Sequence, residues 1–291
     1  MTDRTDMAHT DSVLTARASS DQEIRQGERF EFGRNWARFL SVVTEQHISA
    51  AEGSLRTMLQ VQDLAGKRFL DIGSGSGLFS LAARRLGATV HSFDFDAQSV
   101  ACARELKRRF FRGDAAWSIE HGSVLDPAYI RSLGEFDVVY SWGVLHHTGA
   151  MWTALEHAAI PVAEGGKLVV AIYNDQGNAS KRWRAVKKLY CSSLIGRAVV
   201  CGVWIPWFVG RRFAIDCLKG QNPTAVYKEY KNRRGMSPMH DWLDWLGGYP
   251  FEVAKPEQIF TFYRDRGFQL TNLTTKGALA GCNEFVFLRR R

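Results

Sequence analysis

Paired cysteines are what this sequence most plainly lacks. Its five cysteines, Cys102, Cys191, Cys201, Cys217 and Cys282, form no CxxC and no paired spacing with histidine. A disulfide framework and a structural zinc site are therefore not predicted, no metal ligands are assigned, and a reducing, cytoplasmic location is expected. The first thirty residues are polar and carry no apolar h-region, so no secretory signal is expected. Internal repeats and low-complexity tracts are missing too. The apolar run Ala198–Gly210 contains Pro206 and falls short of the ~20 residues that a bilayer span requires. Acidic residues are scarce in one region. Between Lys181 and Arg234 thirteen Lys/Arg stand against two acids, Asp216 and Glu229, an excess of +11 where the whole chain carries +8. The rest of the chain is thus slightly acidic. Such a patch suits nucleic acid, an anionic membrane surface or a phosphorylated substrate, or is simply a solvated helical face.

What is present supports a packed core, since 45% of the 291 residues are hydrophobic. Residues 1–28 read as a polar tail and 29–66 as cap helices, with Phe39, Leu40, Val43, Ile48, Ala51, Leu55 and Met58 at helical spacing. Strands and helices then alternate over 67–175. Strands are expected at Arg68–Ile72, Thr89–Phe93, Trp117–His121, Phe136–Ser141 and Lys167–Tyr173. Helices are expected at Leu78–Leu86, Ala97–Phe110, Pro127–Leu133 and Met151–Ala159, with Asp126 as an N-cap before Pro127. This alternation predicts a doubly wound α/β fold, a mostly parallel sheet covered on both faces. Residues 176–265 break the pattern with a basic, aromatic helical insertion, read as a lid with its apolar run buried. Residues 266–291 supply the last two strands, Gln269–Thr274 and Glu284–Leu288.

The most informative stretch is Phe69-Leu-Asp-Ile-Gly-Ser-Gly-Ser-Gly-Leu-Phe-Ser-Leu81. Gly73, Ser74, Gly75 and Gly77 lie where a buried strand turns into a helix, and absent side chains there let a ligand approach the backbone. The spacing is GxGxG after Asp71, not GxGxxG. An acid at that place suits a ligand bearing an ammonium group and repels a pyrophosphate.

Asp71-Ile-Gly-Ser-Gly-Ser-Gly77 resembles the first motif of class I S-adenosylmethionine-dependent methyltransferases, nearest to the ubiquinone-biosynthesis type. The likeness covers roughly Arg68–Asn174 and implies a Rossmann-like, seven-stranded fold with S-adenosyl-L-methionine as cofactor. It implies that Asp94, in His91-Ser-Phe-Asp-Phe-Asp96, accepts hydrogen bonds from the ribose hydroxyls, with Phe95 against the adenine. Asp96 is the rival, better suited to capping the next helix. In Glu120-His-Gly-Ser-Val-Leu-Asp126 relatives often carry an acid where Ser123 stands, so Ser123 or the backbone at Val124 would contact the adenine instead. In Phe136-Asp-Val-Val-Tyr-Ser-Trp-Gly-Val-Leu-His-His-Thr148, Ser141 ends the strand and would contact the cofactor, and Trp142 and Gly143 would lie beside the methionine part.

Methyl transfer is chiefly a matter of alignment, and a base is needed only where the acceptor loses a proton. His146, ahead of His147, is the candidate base, with Tyr173 and Asn174 on the same rim and loop capping as their alternative role. Trp36 and Arg34, before the sheet, are candidates to close over the site. Trp245, Tyr249 and their neighbours line the acceptor pocket or form the lid's own core. The expected function is methyl transfer to a small molecule, natural-product, quinone-like or sugar. Cleavage or cyclisation of the aminocarboxypropyl arm and RNA methylation are the alternatives. The expected partner is the small-molecule substrate, with no stable nucleic acid complex and, at most, weak peripheral contact with a membrane.

Overall fold

The computed structural model of the chain describes residues 22–33, 36, 40, 43–220, 238–277 and 281–290. The elements are α1 (Glu45–Leu59), β1 (Arg68–Ile72), α2 (Leu78–Arg85), β2 (Thr89–Asp94), α3 (Ala97–Phe110), β3 (Trp117–His121), α4 (Pro127–Ser132), β4 (Phe136–Trp142), α5 (Met151–Ala159) and β5 (Val162–Tyr173). There follow α6 (Asn178–Ser192), α7 (Leu194–Leu218), α8 (Pro238–Gly247), α9 (Pro256–Arg264), β6 (Phe268–Thr274) and β7 (Cys282–Arg289).

One seven-stranded sheet runs in the order β3-β2-β1-β4-β5-β7-β6. Strands β1 to β5 pair in parallel, and β7 is antiparallel to both of its neighbours. Near-continuous apolar strands such as Leu168–Ile172, all fully buried, reflect coverage on both faces. One face packs with Leu155, Ile259 and Tyr263, the other with Ile48, Leu55, Leu81 and Leu106. The strand order reverses between β1 and β4, which opens a crevice at their carboxyl ends.

Local signals set the helix starts. Asp96 accepts from the backbone N–H of Gln98 and Ser99 at the head of α3, and Asp126 from those of Ala128 and Tyr129 ahead of Pro127. Three differences from the sequence-based expectation have tertiary causes. Strand β5 begins five residues early, at Val162, because Val162 pairs with Phe136 ahead of a register shift, after which Lys167 pairs with Val138. Helix α9, expected within the insertion, packs Ile259 and Tyr263 into the sheet core. The apolar run is part of a single 25-residue helix, α7, that continues through Pro206, and it is not buried in a lid. Leu194, Val203 and Trp207 on it are 81%, 60% and 50% exposed. Among the described residues, other helices meet α7 on one face.

Candidate active site

A cavity of about 310 Å³ opens at the carboxyl ends of β1, β2 and β4. Its floor is the turn from β1 into α2. Gly73, Gly75 and Gly77 all have positive φ, but the space around them differs. A Cβ on Gly73 would strike Val144, one on Gly77 would strike Ala103, and one on Gly75 would lie 3.0 Å from the ring of Trp36. Only Gly75 keeps its lack of a side chain for the cavity; the other two keep it for packing.

Asp71 is held in place by a relay that runs through three elements. The indole Nε1 of Trp117 can only donate, and it donates to Ser92 Oγ at 2.9 Å. The Ser92 hydroxyl therefore donates onward to Ser80 Oγ (2.7 Å), which donates to Asp71 Oδ2 at 2.5 Å. Sequence reading did not single out Ser80, Ser92 or Trp117. The available signal was two serines in otherwise apolar, buried stretches. Despite this support, burial pushes the Asp71 carboxyl up to about 7, with the Asp94 charge adding to the effect.

Asp94 ends β2. Its Oδ2 accepts from the N–H of Gly75 and its Oδ1 from that of Asp96, both at 2.9 Å. Each oxygen retains a lone pair for a further donor. Burial raises Asp94 to about 6. Two more cavity groups, Ser74 Oγ and Tyr140 Oη, are buried and have no hydrogen-bond partner among the described residues. Two desolvated carboxyls, two orphaned hydroxyls and a bare backbone at Gly75 fit a ligand that brings a cationic group and several hydroxyls. The residues present thus suit S-adenosylmethionine, with its ammonium, sulfonium and ribose.

Phe95, Ser123, Val124 and Trp142 also line the cavity. The ring of Phe95 lies under the Arg29 guanidinium at 4.8 Å, and the Trp142 indole donates to Glu284 at 3.3 Å. Ser141 does not line it. The side chain of Ser141 points to the opposite side of β4 from Tyr140 and Trp142 and donates to the Ile72 carbonyl at 3.1 Å.

The roof is formed by described residues ahead of α1. Phe30, Phe32 and Trp36 line the cavity, and polar contacts hold the roof down. Arg29 donates to Glu23 (2.6 Å) and to the His147 carbonyl (2.9 Å), and Gly33 N–H donates to Asp96 (2.8 Å). Phe30 N–H donates to the carbonyl of Tyr249 (2.9 Å). Tyr249 thus meets the roof through its backbone, and its side chain does not line the cavity. Arg34 lies outside the described residues.

The two histidines part company in the 3₁₀ turn Leu145–His147. His147 lines the cavity, with its ring 5.0 Å from that of Phe32. His146, the expected base, is wholly buried behind it, between His147 (4.4 Å) and Tyr173 (4.1 Å). Tyr173 packs further on Trp245 and Phe251, away from the cavity wall. Asn174 donates to Gly277 and accepts from Asn283 at 3.1 Å, a bond that ties β5 to β7. None of these three lines the cavity.

Burial holds both imidazoles neutral. It drives His146 well below the ordinary histidine value and His147 down to about 3. The Pro250 carbonyl, 2.6 Å from His147 Nδ1, can only accept, so Nδ1 carries the hydrogen and Nε2 keeps its lone pair.

The profile of the methyltransferase domain family matches residues 37–199, more than half of the chain. A ubiquinone biosynthesis O-methyltransferase from Brucella melitensis is 29% identical over 143 residues, 49% of this chain, and the chain spans about half (51%) of that relative's own length. A tRNA U34 carboxymethyltransferase from Edwardsiella ictaluri is 29% identical over 210 residues, 67% of this chain and 62% of its own. Among solved structures, an O-methyltransferase family protein from Burkholderia thailandensis shares the fold at a TM-score of 0.50 and 13% identity, over 84% of this chain and 57% of that one. With a glycine loop and acidic strand ends around one cavity, a 3-2-1-4-5-7-6 sheet and this family match, the chain belongs to the class I S-adenosylmethionine-dependent methyltransferases.

Proposed function

We propose that the chain transfers a methyl group from S-adenosylmethionine to a small molecule held between the cavity and its roof. The observation that carries this is the enclosure. Phe30, Phe32 and Trp36 line the cavity at the carboxyl ends of β1 and β4, so an acceptor reaching the methyl group meets a confined, apolar surface. The bound sulfonium supplies an activated methyl group. Asp71 and Asp94 hold its cationic and ribose ends, and the roof excludes water. His147 is the one histidine among the described residues that lines the cavity. With its basicity pushed down to about 3, it serves to orient an acceptor through Nε2, not to store a proton at neutral pH. The O-methyltransferase among the relatives supports a hydroxyl acceptor.

The test is incubation with S-adenosylmethionine, with and without candidate phenolic or hydroxylated acceptors, followed by mass spectrometry. S-adenosylhomocysteine formed only with acceptor is expected. Methylthioadenosine released without acceptor would mean arm cleavage and overturn the proposal.

A further inference from the structure

Helix α7 presents an apolar face that none of the other described residues covers. Leu194, Ile195, Val199, Val203, Trp207 and Phe213 all stand exposed along it, four of them at intervals of four residues. The most apolar 18-residue window of α7 has a mean hydropathy of 1.4 and is 6% buried. Contiguous apolar surface of this size marks an interaction site.

The opposite face of the same helix is committed to the protein. Val200 is buried, Trp204 packs on Trp183 at 4.7 Å, and Phe208 packs on Trp242 at 5.8 Å. Tyr190, beneath the helix, meets Phe30 of the cavity roof at 6.1 Å. Crossing a bilayer would strip α7 of these partners and draw the Arg212–Asp216 pair (2.9 Å) into hydrocarbon. The helix is long enough to span, but its packing keeps it lying flat.

Charge identifies the occupant. The hairpin of α6 and α7 with its next two residues, 178–220, holds nine Lys/Arg against one acid, Asp216; Lys187 is buried and Arg212 pairs with the acid, and the other seven are exposed. Arg211 lies over the Trp207 ring at 5.8 Å, at the C-terminal end of the apolar strip. A second copy of the chain would bring two such cationic surfaces together. An anionic bilayer offers the opposite charge together with an apolar layer beneath it. We infer that α7 docks in plane on anionic phospholipid membranes, with its apolar strip in the acyl boundary and its arginines among the headgroups.

The full chain is to be sedimented with phosphatidylcholine vesicles containing about one quarter phosphatidylglycerol, and with pure phosphatidylcholine vesicles. The protein should pellet with the anionic vesicles, and salt should weaken binding without abolishing it. Val203→Asp combined with Trp207→Ser should lower vesicle affinity at least about tenfold, while S-adenosylhomocysteine binding by calorimetry stays unchanged and so reports an intact fold. Arg211→Gln with Lys219→Gln should cost on the order of tenfold for anionic vesicles only. Wild-type protein that stays in the supernatant with both vesicle types overturns the inference. So does tight tRNA binding without vesicle binding, or a dimer in solution that Val203→Asp dissociates. Resistance to a carbonate wash would instead mean that α7 spans the bilayer, which contradicts in-plane docking. None of these results depends on methyl transfer, so failure here is separate from failure of the proposed reaction.

Discussion

Replacing Asp71 by asparagine should stabilise the ligand-free protein at alkaline pH while weakening its hold on the cofactor. In the folded state burial raises the Asp71 carboxyl to about 7 from an ordinary 3.8. A raised carboxyl pKa means that the native state binds its proton more tightly than the unfolded chain. Its ionisation therefore erodes stability as pH climbs from the lower value to the higher, and the loss is complete above the higher one. Asparagine keeps the shape, still accepts from Ser80, and does not titrate. Two pH units separate about pH 5 from the native pKa, at ~1.36 kcal/mol each, so the advantage of the variant should grow by about 2.7 kcal/mol between about pH 5 and pH 8. For a chain of this size that is a rise in Tm of roughly 4–5 °C. Asp94 titrates in the same window, but it does so in both proteins and largely cancels. Scanning calorimetry at the two pH values measures the difference directly. The same variant should bind S-adenosylhomocysteine ~10–100-fold more weakly, the scale of one charge-assisted hydrogen bond. A stability gap that stays constant with pH would refute the claim that the carboxyl is desolvated. Unchanged affinity would place the ligand's ammonium elsewhere.

Cofactor binding by the wild-type protein should release protons near pH 6–7, because a cation favours the ionised forms of Asp71 and Asp94, raised to about 7 and about 6. Calorimetry in two buffers of different ionisation enthalpy should show this, together with weaker binding as pH falls. Gly75→Val should abolish binding, since its Cβ would lie 3.0 Å from Trp36 at a φ of 54° that valine resists; retained affinity would contradict the cavity assignment. His147→Ala should lower turnover ~10–100-fold with cofactor affinity intact, and His147→Asn should recover part of it, as an orienting role requires. At saturating cofactor, kcat should show no inflection near pH 6.5, the ordinary histidine value, because burial keeps His147 neutral down to about 3. An inflection there that disappears in the asparagine variant would restore a proton-carrying histidine.

Much of the frame could be read directly because it depends on short-range chemistry. The strand–glycine–helix turn at Asp71–Gly77, the acid ending β2 and the caps Asp96 and Asp126 are local patterns, each settled by neighbours a few residues away. Other features turn on which side of an element its surroundings cover. Of two adjacent histidines, the fold turned His147 to the cavity and buried His146 against Tyr173, because the roof descends on one and β5 on the other. Ser141 failed as a cavity residue by the alternation of a strand whose register to β1 no local signal announces. The relay behind Asp71 joins Ser80, Ser92 and Trp117 from three elements, so no spacing in the chain reveals it. The clearest case is α7. Its apolar composition is written in the sequence and reads equally well as the core of a lid. Only the packing of Val200 and Trp204 inward, with Val203 and Trp207 left outward, decided that half of this hydrophobic surface faces away from the protein.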